Sequence, residues 1–353
     1  MKSILCVLIV VVMCIGLTDN LYSQDNQKHD CIFKSSSLHY SVKGMAYWYD
    51  KAQGGLETVS GVPYDDLSCK NCHISSCDVC HKEEKNGKVI YSNEAAKNQN
   101  ICLKCHARES SMMNIDKKLN TPDVHFSAGM ECVDCHTPRE MHGDGIEYYS
   151  MKQPGAMDVS CEQCHEKISK SRSHIIHGKN VDCKACHVQH VVSCTNCHFE
   201  TMVKEGKRVA VPVSEWMFLV NSNGKVTSAN FQTFVMPGKK TFLMFAPQFS
   251  HSVSKEGKKC EDCHANSNVK NASNGEINLT WIENNKVEQT KGVIPVVDGV
   301  EYNMIYQDYK EGKWTPIENP VKPKIQYVGF GTPLTKEQLN KLMKTQKTKS
   351  GKK

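Results

Sequence analysis

Of the 19 cysteines in this 353-residue chain, sixteen fall into one five-residue pattern, C-x-x-C-H, repeated eight times. The copies are Cys69-Lys70-Asn71-Cys72-His73, then Cys77 and Cys80 with His81, Cys102 and Cys105 with His106, and Cys132 and Cys135 with His136. Cys161 and Cys164 with His165, Cys183 and Cys186 with His187, Cys194 and Cys197 with His198, and Cys260 and Cys263 with His264 complete the set. Two thiols three positions apart on one helical turn reach the two vinyl groups of a haem, and the next residue places its imidazole under the iron. A zinc knuckle also uses C-x-x-C, but it needs a second ligand pair and does not require His after every second Cys. Disulfide scaffolds are far shorter chains, and a C-x-x-C pair closes a strained loop. The pattern therefore predicts eight covalent haem c groups, one per copy, each with its motif histidine as an axial ligand.

Each iron needs a sixth ligand, and eight histidines remain outside the motifs: His29, His39, His125, His142, His174, His177, His190 and His251. Bis-histidine ligation throughout is thus arithmetically open. His125, His174 with His177, and His251 lie a short step upstream of a motif, while His142 and His190 follow one closely. In "HIIH" two imidazoles three apart share neither an azimuth nor an iron, so His174 and His177 are expected to serve different haems. His29 and His39 precede the first motif, and either could miss its haem, leaving Lys43 or Lys51 nearby as an alternative ligand or an open iron. Cys31 is the one thiol after the leader outside the motifs, and an inert role is favoured for it.

The elements that position these residues draw on a poor apolar supply. Only 39% of the chain is hydrophobic, 7% is aromatic, and the mean hydropathy is −0.49, which is little for a core of side chains alone. Motif starts are 8, 25, 30, 29, 22, 11 and 66 residues apart. At about 25 residues per cofactor, porphyrin faces must supply most of the core of residues 69–264. The fold class expected is a mostly irregular and α-helical haem-packed core with a small β-hairpin insertion and a β-rich C-terminal region. The insertion, about 203–248, alternates β-branched and aromatic with polar residues, and Asn223-Gly224 is a two-residue hairpin signal. Residues 265–353 continue that texture through a turn at Asp298-Gly299. A helix capped by Thr335 and Gln338 follows over Lys336–Lys344, before a lysine-rich tail.

The first 23 residues have the plan of a secretory leader: a lysine, an apolar run over Ile4–Leu17, and a polar stretch ending at Ser23. A lipoprotein leader with Cys14 lipidated is the alternative, but Met13 is not the small residue such a site prefers. Residues 24–68 then form an N-terminal segment. The chain is expected to be exported to the periplasm or cell surface, with no transmembrane segment after the leader. The formal charge of +6 is carried by scattered lysines with no basic stripe. Sixteen propionates would bring it to about −2 with ferric irons and about −10 when reduced, so nucleic acid is not an expected partner.

The eight motifs and their upstream histidines over residues 69–264 resemble the multihaem cytochrome c superfamily. Nearest by haem count is its octahaem group, the tetrathionate-reductase, nitrite-reductase and hydroxylamine-oxidoreductase types. No C-x-x-C-K variant is present, and the β-rich tail lacks the long helices of the hydroxylamine-oxidoreductase type. Eight spare histidines for eight irons favour an electron-transfer cytochrome with closely packed, mainly bis-His haems. Its alternative is a reductase of a small nitrogen or sulfur oxyanion (nitrite, hydroxylamine or tetrathionate) with one open haem. The partners implied are redox proteins, quinol-linked or other cytochromes, and self-association into an oligomer or a conducting filament.

Overall fold

A computed structural model describes residues 33–41, 43–67 and 74–344. The expected leader, His29, Cys31, the first motif with Cys69, Cys72 and His73, and the end of the lysine-rich tail lie outside the described residues. From Ile74 to His187 the chain is a succession of short helices, the longest of them Ala107–Leu119, joined by turns and interrupted by one hairpin of Lys82–Lys85 and Lys88–Tyr91. Between Ile74 and Ala185 the buried apolar residues are Met112, Tyr148, Ala156 and Ala185. So small a set makes no core of its own, and porphyrin faces fit the deficit.

The apolar side chains are concentrated in one eight-stranded sheet. Its strands are β1 (Ser193–His198), β2 (Val211–Val213), β3 (Trp216–Ser222), β4 (Lys225–Met236), β5 (Lys240–Pro247), β6 (Gly292–Pro295), β7 (Lys324–Tyr327) and β8 (Gly331–Thr332). The twelve-residue β4 is central: antiparallel to β3 and β5, and parallel to β1. The order β6-β3-β4-β1-β2 continues through β5 to β7, with β8 on β3. Asn223 and Gly224 take φ of 50° and 80° and close the β3–β4 hairpin, as a two-residue turn of that type requires. The β-region is therefore larger than the expected insertion, because C-terminal strands and the seventh motif itself join it.

Strand alternation explains why Trp216–Val220 is buried throughout. Trp216, Phe218 and Val220 join Phe231, Phe245, Ile277, Leu279 and Ile294 on one face. Met217 and Leu219 point to the other, where Ala185, Val188 and Leu334 pack against them. Further along that second face, Phe234, Met236 and Phe242 meet Tyr49, Leu56, Leu67 and Cys197. The sheet is thus a platform whose second face seats the sixth-motif helix, Cys183–His187. The C-terminal helix, Lys336–Met343, carries the Thr335–Gln338 capping box and leans on the same cluster through Leu342 and Met343.

Two carboxylates fasten the segment around His251 to the helical part. Asp123 accepts from the Val253 N–H at 2.6 Å and from the His125 N–H at 2.7 Å, fixing both histidine-bearing segments at once. Asp116, 3% exposed, accepts from the Ser252 hydroxyl at 2.8 Å, and burial pushes its carboxyl from 3.8 up to about 6. A folded-state value above the unfolded one means the native state holds the extra proton. Stability from this group is fully present below about pH 4, falls as pH rises toward 6, and is level above that. Asp116→Asn should therefore match the parent's thermal midpoint at pH 4 and exceed it at pH 7.5 in circular-dichroism melts. A lower midpoint at both pH values would contradict this.

Candidate haem-ligating sites

Six motif copies place their residues alike. The histidine N–H of each donates to the carbonyl of the first cysteine in the second to fifth copies, at 2.9 Å for His81, 3.0 Å for His106 and His136, and 2.9 Å for His165. The sixth and eighth are single helical turns, Cys183–His187 and Cys260–His264. One turn sets the first cysteine and the histidine on the same side.

Each of these six motif imidazoles meets one imidazole from outside the motifs. Ring centroids are 6.0 Å apart for His81–His142, 6.1 Å for His106–His39, 6.1 Å for His136–His251 and 6.2 Å for His165–His125. His187–His174 and His264–His177 follow at 6.0 and 6.1 Å. Two imidazoles that held one metal between them, with bonds of about 2.0 Å and ring centres about 1.1 Å behind the nitrogens, would stand about 6.2 Å apart. The donor set fits low-spin haem iron at all six places, and bound haem would supply reversible one-electron chemistry there. His174 and His177 go to different motif histidines.

The protein also sets which ring nitrogen faces the partner. A carbonyl can only accept, so an Nδ1 held by one carries the proton and leaves Nε2 free as ligand. His81 Nδ1 donates to Ser92 O at 3.2 Å, His187 to Ser254 O at 3.1 Å and His264 to Leu342 O at 2.8 Å. Opposite them, His142 donates to Pro138 O, His174 to Ser169 O and His177 to Ser173 O, each at 3.0 Å. His136 Nδ1 instead meets the Glu140 carboxylate at 2.7 Å. Burial first, then neighbouring His106 and His142, bring His39 down to about 4, which keeps it in the neutral form a metal requires. Gly143, φ 83°, ends the His142 helix where a Cβ would collide with Ser36 and Ser37. That close approach lets the His39 segment lie against the His142 helix, with Ser37 Oγ donating to Met141 O at 2.7 Å.

Consecutive copies are neighbours. Cys80 lies within electrostatic reach of Cys102 and Cys105, the Cys102 and Cys132 thiols are close neighbours, and Cys135 is within reach of Cys164. Cys161 and Cys183 are close neighbours, and Cys186 is within reach of Cys260 and Cys263. The series runs from the second copy to the sixth and then to the eighth. After the sixth copy the chain turns into the sheet, where the seventh copy lies in β1.

The seventh copy differs. Cys194, Cys197 and His198 lie in β1, and the His198 N–H donates to Val209 O at 2.9 Å instead of closing a helical turn. Thr201 N–H donates to His198 Nδ1 at 3.4 Å, and Nε2 meets Asp308 Oδ1 at 3.1 Å. His198 lines a cavity of about 330 Å³ with Lys204, Glu205 and Tyr309. His190, expected as a sixth ligand, faces no motif imidazole among the described residues. Its Nε2 is enclosed without a hydrogen-bond partner, between the buried Val188 and Val191. Lys43 is committed to Glu147 at 2.6 Å.

Two groups of cations were not singled out by the motif pattern. With the Gln232 amide oxygen turned toward them, Arg208 and Arg108 both donate to it, at 2.8 and 2.5 Å. Lys152 and Lys184 place their ammonium groups 3.3 and 3.1 Å from the centre of the Phe249 ring, and burial, then Lys184, lowers Lys152 to about 7. Such groups suit haem propionates or another anion. Glu140 was legible only as an acidic residue four positions after His136.

No family model and no solved structure matches the chain. It is 25% identical over 173 residues to the multiheme cytochrome MtrA of Shewanella baltica, covering 40% of this chain and 51% of that protein. It is 21% identical over 339 residues to the dissimilatory sulfite reductase MccA of Wolinella succinogenes, covering 85% of this chain and 44% of that protein. The chain therefore spans about half the length of these curated relatives. No helix among the described residues is long and apolar enough to cross a membrane. The repeated C-x-x-C-H motifs and these two similarities together support placing the chain among the multihaem c-type cytochromes.

Proposed function

We propose that the chain is an exported electron-transfer cytochrome in which bis-histidine haems form a continuous series from the second motif through the sixth to the eighth. The observation that carries this reading is the six imidazole pairs at 6.0–6.2 Å. An iron with two fixed protein ligands exchanges electrons without offering a place to a substrate. The leader and the need to attach haem outside the cytoplasm support the periplasm or cell surface as its place. Redox proteins, quinol-linked or other cytochromes, are then its partners, and self-association would extend the series. Electron paramagnetic resonance of the oxidised holoprotein should show low-spin ferric haem at no fewer than six centres. The reduced protein should bind little carbon monoxide, and mainly high-spin signals would sink the proposal.

A second reading has one specific observation in its favour. Arg108 and Arg208 converge on a single amide oxygen, an arrangement suited to an oxyanion, and one curated relative is named as a sulfite reductase. On this reading one haem is open and reduces a small nitrogen or sulfur oxyanion. Saturable reoxidation of the reduced protein by sulfite, nitrite, hydroxylamine or tetrathionate would favour it over electron transfer.

A further inference from the structure

We infer that the seventh copy, Cys194-Thr195-Asn196-Cys197-His198, is a sheet strand and not a haem attachment site, so the chain carries at most seven haems. The inference rests on the multihaem reading for the other copies. In those copies described by the structure, a helical turn brings the first cysteine and the histidine to one side. In β1, Cys194 pairs with Gln232, Cys197 with Phe234 and His198 with Val235, with an irregularity between the cysteines. Gln232 and Phe234 are two apart on β4 and share a face, whereas Val235 points to the other. Asn196, at φ 53°, is the extra residue that keeps both cysteines on one face. Both thiols therefore lie on one side of the sheet and the imidazole on the opposite side. One porphyrin cannot bond all three.

Two further observations agree. Cys197 is 1% exposed within a cluster with Leu67, Phe199 and Phe234, which leaves a vinyl group no approach. The His198 tautomer is the reverse of that in the haem-ligating candidates: Nδ1 accepts, so Nε2 carries the proton and is directed at Asp308. Releasing the strand for attachment would break its pairing with both β4 and β2 and take Cys197 out of its apolar cluster.

Attachment adds each cysteine S–H across a vinyl C=C, consuming both thiols. An unattached copy therefore keeps two alkylatable sulfurs. Purified holoprotein, reduced, denatured, treated with iodoacetamide and digested, should yield the peptide spanning Cys194 and Cys197 with both thiols alkylated. Peptides spanning Cys183 with Cys186 and Cys260 with Cys263 should carry haem. Cys194→Ala/Cys197→Ala should have the same number of haems by intact mass as the parent, whereas Cys183→Ala/Cys186→Ala should have one fewer. Haem on the 194–197 peptide of the parent would overturn the inference, and that measurement holds even if the double variant fails to fold. Absence of haem from every peptide would instead refute the multihaem reading.

Discussion

His177→Ala is expected to turn one low-spin ferric haem high-spin and to leave the others unchanged. Among the described residues His177 faces His264 alone, at 6.1 Å, its Nδ1 is fixed by Ser173 O, and no second imidazole there is placed to substitute. His174→Ala should do the same to the haem of His187, and the double variant should show two high-spin centres. The two single variants should differ in position: the His264 haem ends the neighbour series, so carbon monoxide bound there should block entry or exit of electrons. The His187 haem is interior to the series. Resonance and carbon monoxide titration of the three proteins check this, and an unchanged spectrum in both single variants would refute the pairing.

Glu140 gives the second large effect. Its side chain is fully buried, with Oε2 on His136 Nδ1 at 2.7 Å and Oε1 accepting from the Asp158 and Val159 N–H groups at 2.5 and 2.9 Å. With haem bound there, a carboxylate behind the His136 imidazole would make that ligand more electron-rich and favour the ferric state. Glu140→Gln keeps an acceptor for the two backbone donors but turns an N–H₂ toward His136. The potential of that one haem should rise, on the order of 60 mV for each tenfold loss of ferric preference. Glu140→Ala should in addition leave buried donors unpaired, at about 1–3 kcal/mol each, and lower the thermal midpoint. A spectroelectrochemical titration in which no haem moves upward in the Gln variant would count against the role.

The ligand inventory was legible because iron ligation demands particular side chains at particular spacings. Which histidine meets which motif was not: His136 and His251 are adjacent only after the Asp116 and Asp123 contacts bring Ser252 and Val253 to the helix. Carbonyl partners such as Ser92 and Leu342 leave no trace, since every residue has that group. Glu140 could have been found, because Thr137-Pro138 starts a helix directly after His136 and puts position 140 one turn above it. The strand at the seventh copy was masked by its own motif. The β-branched run Val191-Val192 and Thr195 within "VVSCTNCH" was the competing signal, and packing against β4 decided in its favour.

The imidazole pairs have a consequence for how the polymer can come apart. An iron anchored to one histidine and bound by another closes a loop of chain, and the loops differ widely: about a dozen residues for His174–His187 and about 115 for His136–His251. With closure entropy growing as the logarithm of length, the longer loop removes about 2 kcal/mol more freedom from the unfolded chain than the shorter. His39–His106 and His177–His264 add loops of about 67 and 87 residues. His81–His142 closes about 61 residues and overlaps 39–106 on one side and 136–251 on the other, so the loops together knit the helical stretch to the sheet. While the irons stay ligated neither part can unravel alone, and the molecule should lose its structure in one cooperative step despite its two unlike halves.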